Sequence, residues 1–307
     1  MKKNICFLIL IITLCFHGVA AQEYLDYYET INKAEIASLD EKYELSASLY
    51  ETAFNLVDNP FKEDFLFAGL LYEKIDNPEK TYKLLVEGVK KGLTLKRVRK
   101  MTTSFKKTRE WDKFKNEYKT IREKYLDSLN SEFRIEIAQM IRKDQKARVP
   151  IFGSWKKMKK VDTYNFNRLI ELIKSNDNKW IGFSTIGETT PKGKYDVTDN
   201  ISLMLLHFKK EQIEILKPYI FQAVLDGEMY PYQYARIIDY TTGMRILSTK
   251  NDKGVSEIDS CSLYGAYLNS KVCDCSIAEI EREKIGFEPL KDFYRKVNSN
   301  YQCHSAK

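Results

Sequence analysis

Between Cys15 and Cys261 the chain has no cysteine, and its whole length holds only three histidines, His17, His207 and His304. The body of the protein therefore has no cysteine in a Cys/His catalytic setting. There is no H-E-x-x-H pattern for a zinc hydrolase and no G-x-S-x-G elbow for a serine hydrolase. Gly182 and Gly187 do not make a phosphate-binding loop. After Phe16 no apolar run is long enough to span a bilayer, so no transmembrane segment is expected beyond that point. No motif asks for a cofactor, and none specifies a metal site.

What is present begins with an export signal. Lys2 and Lys3 form a positive head, and Ile5 to Phe16 is apolar except for Thr13. Val19-Ala20-Ala21 then puts small residues where a signal peptidase reads. A cleavable signal peptide is expected over residues 1–21. The rival reading is a membrane anchor, but the apolar run is shorter than the ~20 residues that cross a bilayer. Leu14 before Cys15 does not fit a lipoprotein box. The expected product is soluble and lies in the periplasm or outside the cell.

Loss of Lys2 and Lys3 takes the net charge from +7 to +5. The excess is uneven. Lys90 to Lys124 holds 14 Lys/Arg against four acids, and Arg142 to Lys160 holds eight against Asp144. Lys96, Arg97, Arg99, Lys100, Lys106 and Lys107 are the candidate basic patch. Such a field favours an anionic partner, although a solvated helix face gives the same pattern. Export argues against nucleic acid. An acidic protein patch, a glycan or an anionic envelope surface fits better.

Cys261, Cys273, Cys275 and Cys303 all lie in the last 47 residues. In an oxidising compartment they read as disulfides stapling a tail to the body, with direct Cys273–Cys275 bonding disfavoured by its tight ring. Four thiolates on zinc, with His304, are the alternative, although Cys-x-Cys is not the usual spacing.

Helical signals dominate. Candidate helices run over 24–38, 41–57, 62–75, 78–91, 95–108 and 111–126. Asn59-Pro60 and Asn77-Pro78 punctuate them, and Gly92 suits a left-handed cap. Trp111, Phe114, Tyr118, Ile121 and Tyr125 make one apolar stripe. Phe65, Gly69 and Tyr72 precede a turn, and Thr81, Leu85 and Gly88 follow it. Ala34, Ser46, Tyr50 and Ala53 repeat this about 35 residues upstream. The pattern resembles the tetratricopeptide repeat, in which small residues let paired helices approach. That resemblance implies a partner-binding array over roughly 24–126; a plain helical spacer is the alternative.

Further helices are expected from Ser131 to Arg148, from Asp162, and over 199–209, 211–225 and 231–240. The stretch from Trp180 to Thr198 reads as a long surface loop. Residues 244–249 and 254–258 flank Asn251-Asp252-Lys253 and can pair as a small hairpin. Ser276 and Glu279 have capping-box spacing. The expected fold is mainly α: signal peptide 1–21, a tetratricopeptide-like array 22–129, and a helical bundle 130–307 with a hairpin and a Cys-rich tail.

Asp144-Gln145-x-x-Arg148, Trp180-Ile181-Gly182, His207, Gly227-Glu228, Ala235, Asp239, and the tail Arg282, Gly286, Phe287, Leu290, Tyr294 keep a common order. Over about 133–297 this resembles an exported bacterial domain family of unknown function. Tyr240 and Met244-Arg245-Ile246-Leu247 depart from its pattern. The family supplies no activity. On this resemblance Gln145 and Trp180 are candidate binding residues.

The two histidines left after signal removal are His207 and His304, and His304 is close to the end of the tail. Imidazole chemistry would therefore use His207 as acid or base. Asp239 could orient it, Asp144 could be a second acid, and Arg148 could hold an anion bidentately. A core histidine bonded to a carboxylate has the same sequence appearance. Phe152 and Trp155 before Lys156, Lys157, Lys159 and Lys160 suit a headgroup or glycan contact, or an amphipathic linker. The leading expectation is a binding or scaffolding role in a Gram-negative envelope. The rival is a hydrolase-like enzyme built on His207, Asp144, Arg148 and Asp239.

Overall fold

The structure is a computed structural model that describes residues 22–149, 154–187, 197–243, 245–250, 256–268 and 271–303. The expected signal peptide, Phe152 and His304 lie outside these residues. The chain is mainly helical, as its periodicity indicates. Helix α1 spans residues 22–39, followed by α2 (Tyr43–Phe54), α3 (Lys62–Lys74), α4 (Pro78–Lys90), α5 (Leu95–Met101) and α6 (Arg109–Asp127). Among the described residues no helix is long and apolar enough to cross a membrane.

The first four helices form two hairpins built alike. In the first, Ser46 donates from its hydroxyl to the Ala34 carbonyl at 2.7 Å. In the second, Thr81 donates to the Gly69 carbonyl at 3.1 Å. Each bond spans 12 residues, and the two are 35 residues apart. The tiny residues have a steric reason. A Cβ on Gly88 would stand 2.9 Å from Leu93 and 3.2 Å from Phe65. Asn77 caps α4 by accepting the Lys80 N–H, and Pro78 fills the first helical position, where no donor is needed.

The helix expected over 95–108 stops at Met101. Glu73 of α3 reaches across and accepts the N–H groups of Thr103 and Phe105 and the hydroxyls of Thr103 and Ser104, at 2.7 to 3.1 Å. These bonds hold the chain out of helix until a short 3-10 turn at Phe105–Lys107. The stripe on α6 behaves as read: Trp111 and Phe114 are buried, and Tyr118 and Ile121 pack beside them.

Helix α7 (Ser131–Arg148) is capped by Asn130, which accepts the Phe133 N–H, rather than by Ser131. Helix α8 (Trp155–Ser175) begins seven residues before the expected start at Asp162, because Ser154 accepts the Lys157 N–H. Of the stretch expected as a surface loop, Trp180 to Thr198, residues 188–196 lie outside the described residues, and the rest is not loop throughout. Trp180 and Ile181 are buried and a short helix α9 (Phe183–Ile186) follows, anchored where Glu228 accepts the Ser184 N–H. Helices α10 (Val197–Leu205), α11 (Lys210–Leu225) and α12 (Pro231–Ile238) complete the bundle.

The hairpin is present as β1 (Arg245–Lys250) and β2 (Ser256–Ser262), antiparallel with Arg245 opposite Cys261. A short β3 (Lys271–Val272) adds in parallel to β2. Helix α13 (Cys275–Glu283) is capped by Asp274, which accepts the Ser276 and Ile277 N–H groups, so Ser276 is not the cap. Helix α14 (Leu290–Lys296) follows. Cys261 bonds to Cys273 and Cys275 to Cys303, with Cα–Cα separations of 4.8 and 5.6 Å. This engages all four thiols in disulfides and leaves none for the alternative zinc site.

One hydrophobic core crosses the expected division at residues 129 and 130. It joins Tyr24, Tyr27 and Tyr28 of α1 to Val224, Ile237 and Tyr294. Tyr28 donates to the Val224 carbonyl at 2.6 Å. A Cβ on Gly286 would lie 2.3 Å from the Tyr28 ring, and its φ of +63° also favours glycine. A smaller cluster around Leu85, Leu93 and Trp111 closes α4 against α6.

Candidate functional site

Helices α7, α8 and the end of α10 bring three of the sequence-derived residues together. Asp144 is fully buried on α7. Arg148, one turn later, contacts its Oδ1 at 2.7 Å and reaches Asp162 of α8 at 2.6 Å. His207 places Nδ1 3.2 Å from the same Asp144 oxygen, and Gln145 donates Nε2–H to the other at 2.8 Å. The imidazole side chain is 22% exposed. Asp144 thus orients the ring, which leaves Nε2 available for proton transfer or binding.

Asp239 is not part of this group. It ends α12, and its carboxylate accepts the N–H groups of Tyr264 and Ala266 at 2.7 and 2.8 Å. Burial raises its pKa to about 6, against the lowering effect of those N–H bonds. Its work is to hold the chain leaving β2. The same segment is clamped by Arg282, which donates to the Tyr264 carbonyl and lies 3.7 Å over the Phe287 ring. Orienting His207 falls to Asp144 instead.

Trp180, a candidate binding residue, is a core side chain, whereas Gln145 belongs to the Asp144 group. Of the basic patch, Lys96, Arg99, Lys100, Lys106 and Lys107 are exposed. Arg97 turns inward to Glu63 with two bonds at 3.1 and 2.9 Å. Trp155 is exposed at the start of α8.

A second candidate site escaped the sequence reading. A cleft of about 730 Å³ opens between α1 and α3 on one side and α10, α12 and the α13–α14 segment on the other. Tyr28, Phe61, Phe67, Leu206 and Tyr230 give it apolar and aromatic walls. None of Asp144, Arg148, His207 and Asp239 lines it. Its size suits a small ligand or an inserted side chain.

Several ionisable groups sit in those walls. Burial pushes the Asp64 carboxyl up to about 8, and nearby Glu35 and Glu63 add to the rise. Tyr27 donates its hydroxyl to Asp64 and accepts the Phe61 N–H at 3.0 Å. Glu35 is also raised by burial, which outweighs the pull of Lys296. Burial lowers Lys296, but Glu35 and Glu288 on either side outweigh it and hold its pKa above the ordinary value. Perturbed groups converging in a cleft make it a candidate functional site.

Sequence carried little signal for this cleft. Glu63 and Asp64 both read as first-turn acids complementing a helix N-terminus. Nothing local distinguishes the buried one. Glu35 and Lys296 are 261 residues apart and meet only in the fold.

Comparison with models of known protein families, with curated proteins and with solved structures found no match to this chain.

Proposed function

We propose that this chain is an exported partner-binding module and that its partner inserts an apolar, polar-tipped group into the cleft. One observation carries the reading. The cleft is built jointly by the helical hairpins and the second half of the chain, and it combines aromatic walls with buried ionisable groups. The 35-residue recurrence of the Ser46 and Thr81 bonds supports a tetratricopeptide-like array, an architecture that presents concave binding surfaces. The two disulfides suit an oxidising compartment, in keeping with a periplasmic or extracellular place and with the resemblance to an exported domain family. The exposed lysines of the basic patch provide steering toward an acidic protein or envelope surface.

Blocking the cleft tests this. Leu203 lines it and is 36% exposed, so Leu203→Trp fills space without entering the core. Saturation-transfer NMR with small aliphatic and aromatic probes should show binding to the wild type and loss in the variant, at unchanged melting temperature. Equal binding by both would contradict the reading.

A second reading keeps the rival enzyme, because His207 is both oriented by Asp144 and partly exposed. His207→Gln should then abolish hydrolytic turnover with little change in stability. A stability loss alone would mark a structural histidine.

A further inference from the structure

The polar groups of the cleft are unevenly satisfied, and the imbalance identifies what is missing. Three of its cations are engaged. Arg97 is held by Glu63 through two bonds, and Lys296 by Glu35 and Glu288. Arg236 lies over the rings of Tyr232 and Tyr267, at 5.4 and 5.3 Å. Each of these three cations already has partners within the protein.

The acceptors differ. Asn32 is 9% exposed and lines the cleft. Its Nδ2 donates to Asp292 at 2.8 Å, and Asp292 does not line the cleft. A carboxylate only accepts, so this bond fixes which end of the amide is oxygen. That oxygen, Oδ1, is buried and has no hydrogen-bond partner. A buried acceptor without a hydrogen bond is costly, so such atoms are rare without a reason. Asp64, on the same wall, has the Tyr27 hydroxyl as its side-chain partner. The unmet demand is for donors, beside the rings of Tyr28, Phe61 and Tyr230, side chains of a kind that attracts a cation.

We propose that the cleft binds a primary ammonium on an apolar stem, with Asp64 and Asn32 as acceptors and the aromatic walls around the stem. This rests on the cleft being the binding site. The ammonium could belong to a free alkylamine or to a lysyl side chain; the chemistry is shared. Among the described residues, the charged and titratable groups around Asp64 include Tyr27, Tyr28 and Glu35 of α1, Tyr50 of α2, Lys62 and Glu63 of α3, Arg97 of α5, Arg236 of α12, and Glu288 and Lys296. Asp64 holds a proton at neutral pH in this setting. An arriving ammonium stabilises the carboxylate, so the Asp64 O–H bond breaks and about one proton passes to the buffer. The ligand keeps its own proton, since an alkylammonium titrates near 10.4.

Isothermal titration calorimetry on the whole chain at pH 6.5 tests this, with n-pentylamine, n-pentanol and an N-acetylated, C-amidated Gly-Lys-Gly peptide as probes. Pentylamine should bind at least tenfold more tightly than pentanol. Its heat should vary with buffer ionisation enthalpy as one released proton requires, and this dependence should vanish at pH 9.5. Asp64→Asn preserves the Tyr27 bond and should lose tenfold in affinity together with the proton release. Asn32→Leu should lose several-fold and keep the proton release. Tighter binding of the peptide than of pentylamine would name a lysyl side chain as the natural occupant; the reverse would name a free amine. Pentanol binding as tightly as pentylamine, or Asp64→Asn binding normally, would overturn the ammonium assignment and leave the cleft as a binding site. Absence of binding by all three probes, with no effect of Leu203→Trp on any probe, would overturn the cleft itself.

Discussion

Asp144 and Asp64 are both buried aspartates on helices, yet the molecule treats them oppositely. Asp144 is surrounded by donors: Arg148 at 2.7 Å, Gln145 at 2.8 Å and His207 at 3.2 Å. Asp64 meets a single phenol, and burial dominates its behaviour. A buried charge with a full set of partners is a structural fixture, and removing it strands those partners. A buried acid with almost none holds a proton until something supplies the charge. The contrast separates a clamp, which joins three helices, from a buried acid held by one phenol.

The sharpest way to break the comparison is to delete each acid. Asp144→Ala should cost about 3 kcal/mol in urea unfolding, because Arg148 and His207 lose a shared partner. Asp64→Asn should not destabilise the fold near pH 7 and should stabilise it, since the amide keeps the Tyr27 bond and spares folding the uptake of a proton at Asp64. Comparable losses would erase the distinction.

Stability against pH gives the next effect. The folded pKa of Asp64 is raised, so its favourable contribution is complete below the unfolded value near 4 and fades as pH rises through about 8. Wild type should therefore lose at least about 1 kcal/mol relative to Asp64→Asn between pH 5 and 8. A constant difference across that range would show that Asp64 is ionised throughout. The smallest effect belongs to the surface. Reversing Lys96, Lys100 and Lys107 should leave stability within about 0.5 kcal/mol while weakening capture by an anionic surface.

The two sites also differ in how far the sequence revealed them. Asp144, Arg148 and His207 stand out because histidine is scarce and because Asp and Arg are one helical turn apart. The fold brings Arg148 and His207 both within hydrogen-bond reach of Asp144. Asp239 was grouped with them by chain order alone; the segment after β2 takes both its oxygens. Helix hairpins and the α6 stripe follow from local spacing, and disulfide bonding of the four tail cysteines from redox chemistry, so these are legible; which cysteine pairs with which is set by the fold and is not. The break after Met101 was not, because Glu73, some 30 residues earlier, causes it. The cleft was illegible for the same reason: Asn32, Glu35, Asp64 and Lys296 become neighbours only when α1 packs against the C-terminal helices.

The most direct measurement is the titration of the Asp64 carboxyl carbon by NMR, with and without n-pentylamine. The account predicts a free-state pKa near 8 and a carboxylate already ionised at pH 6.5 once the amine is bound. A pKa near the ordinary value of about 4 that is indifferent to the amine would contradict it.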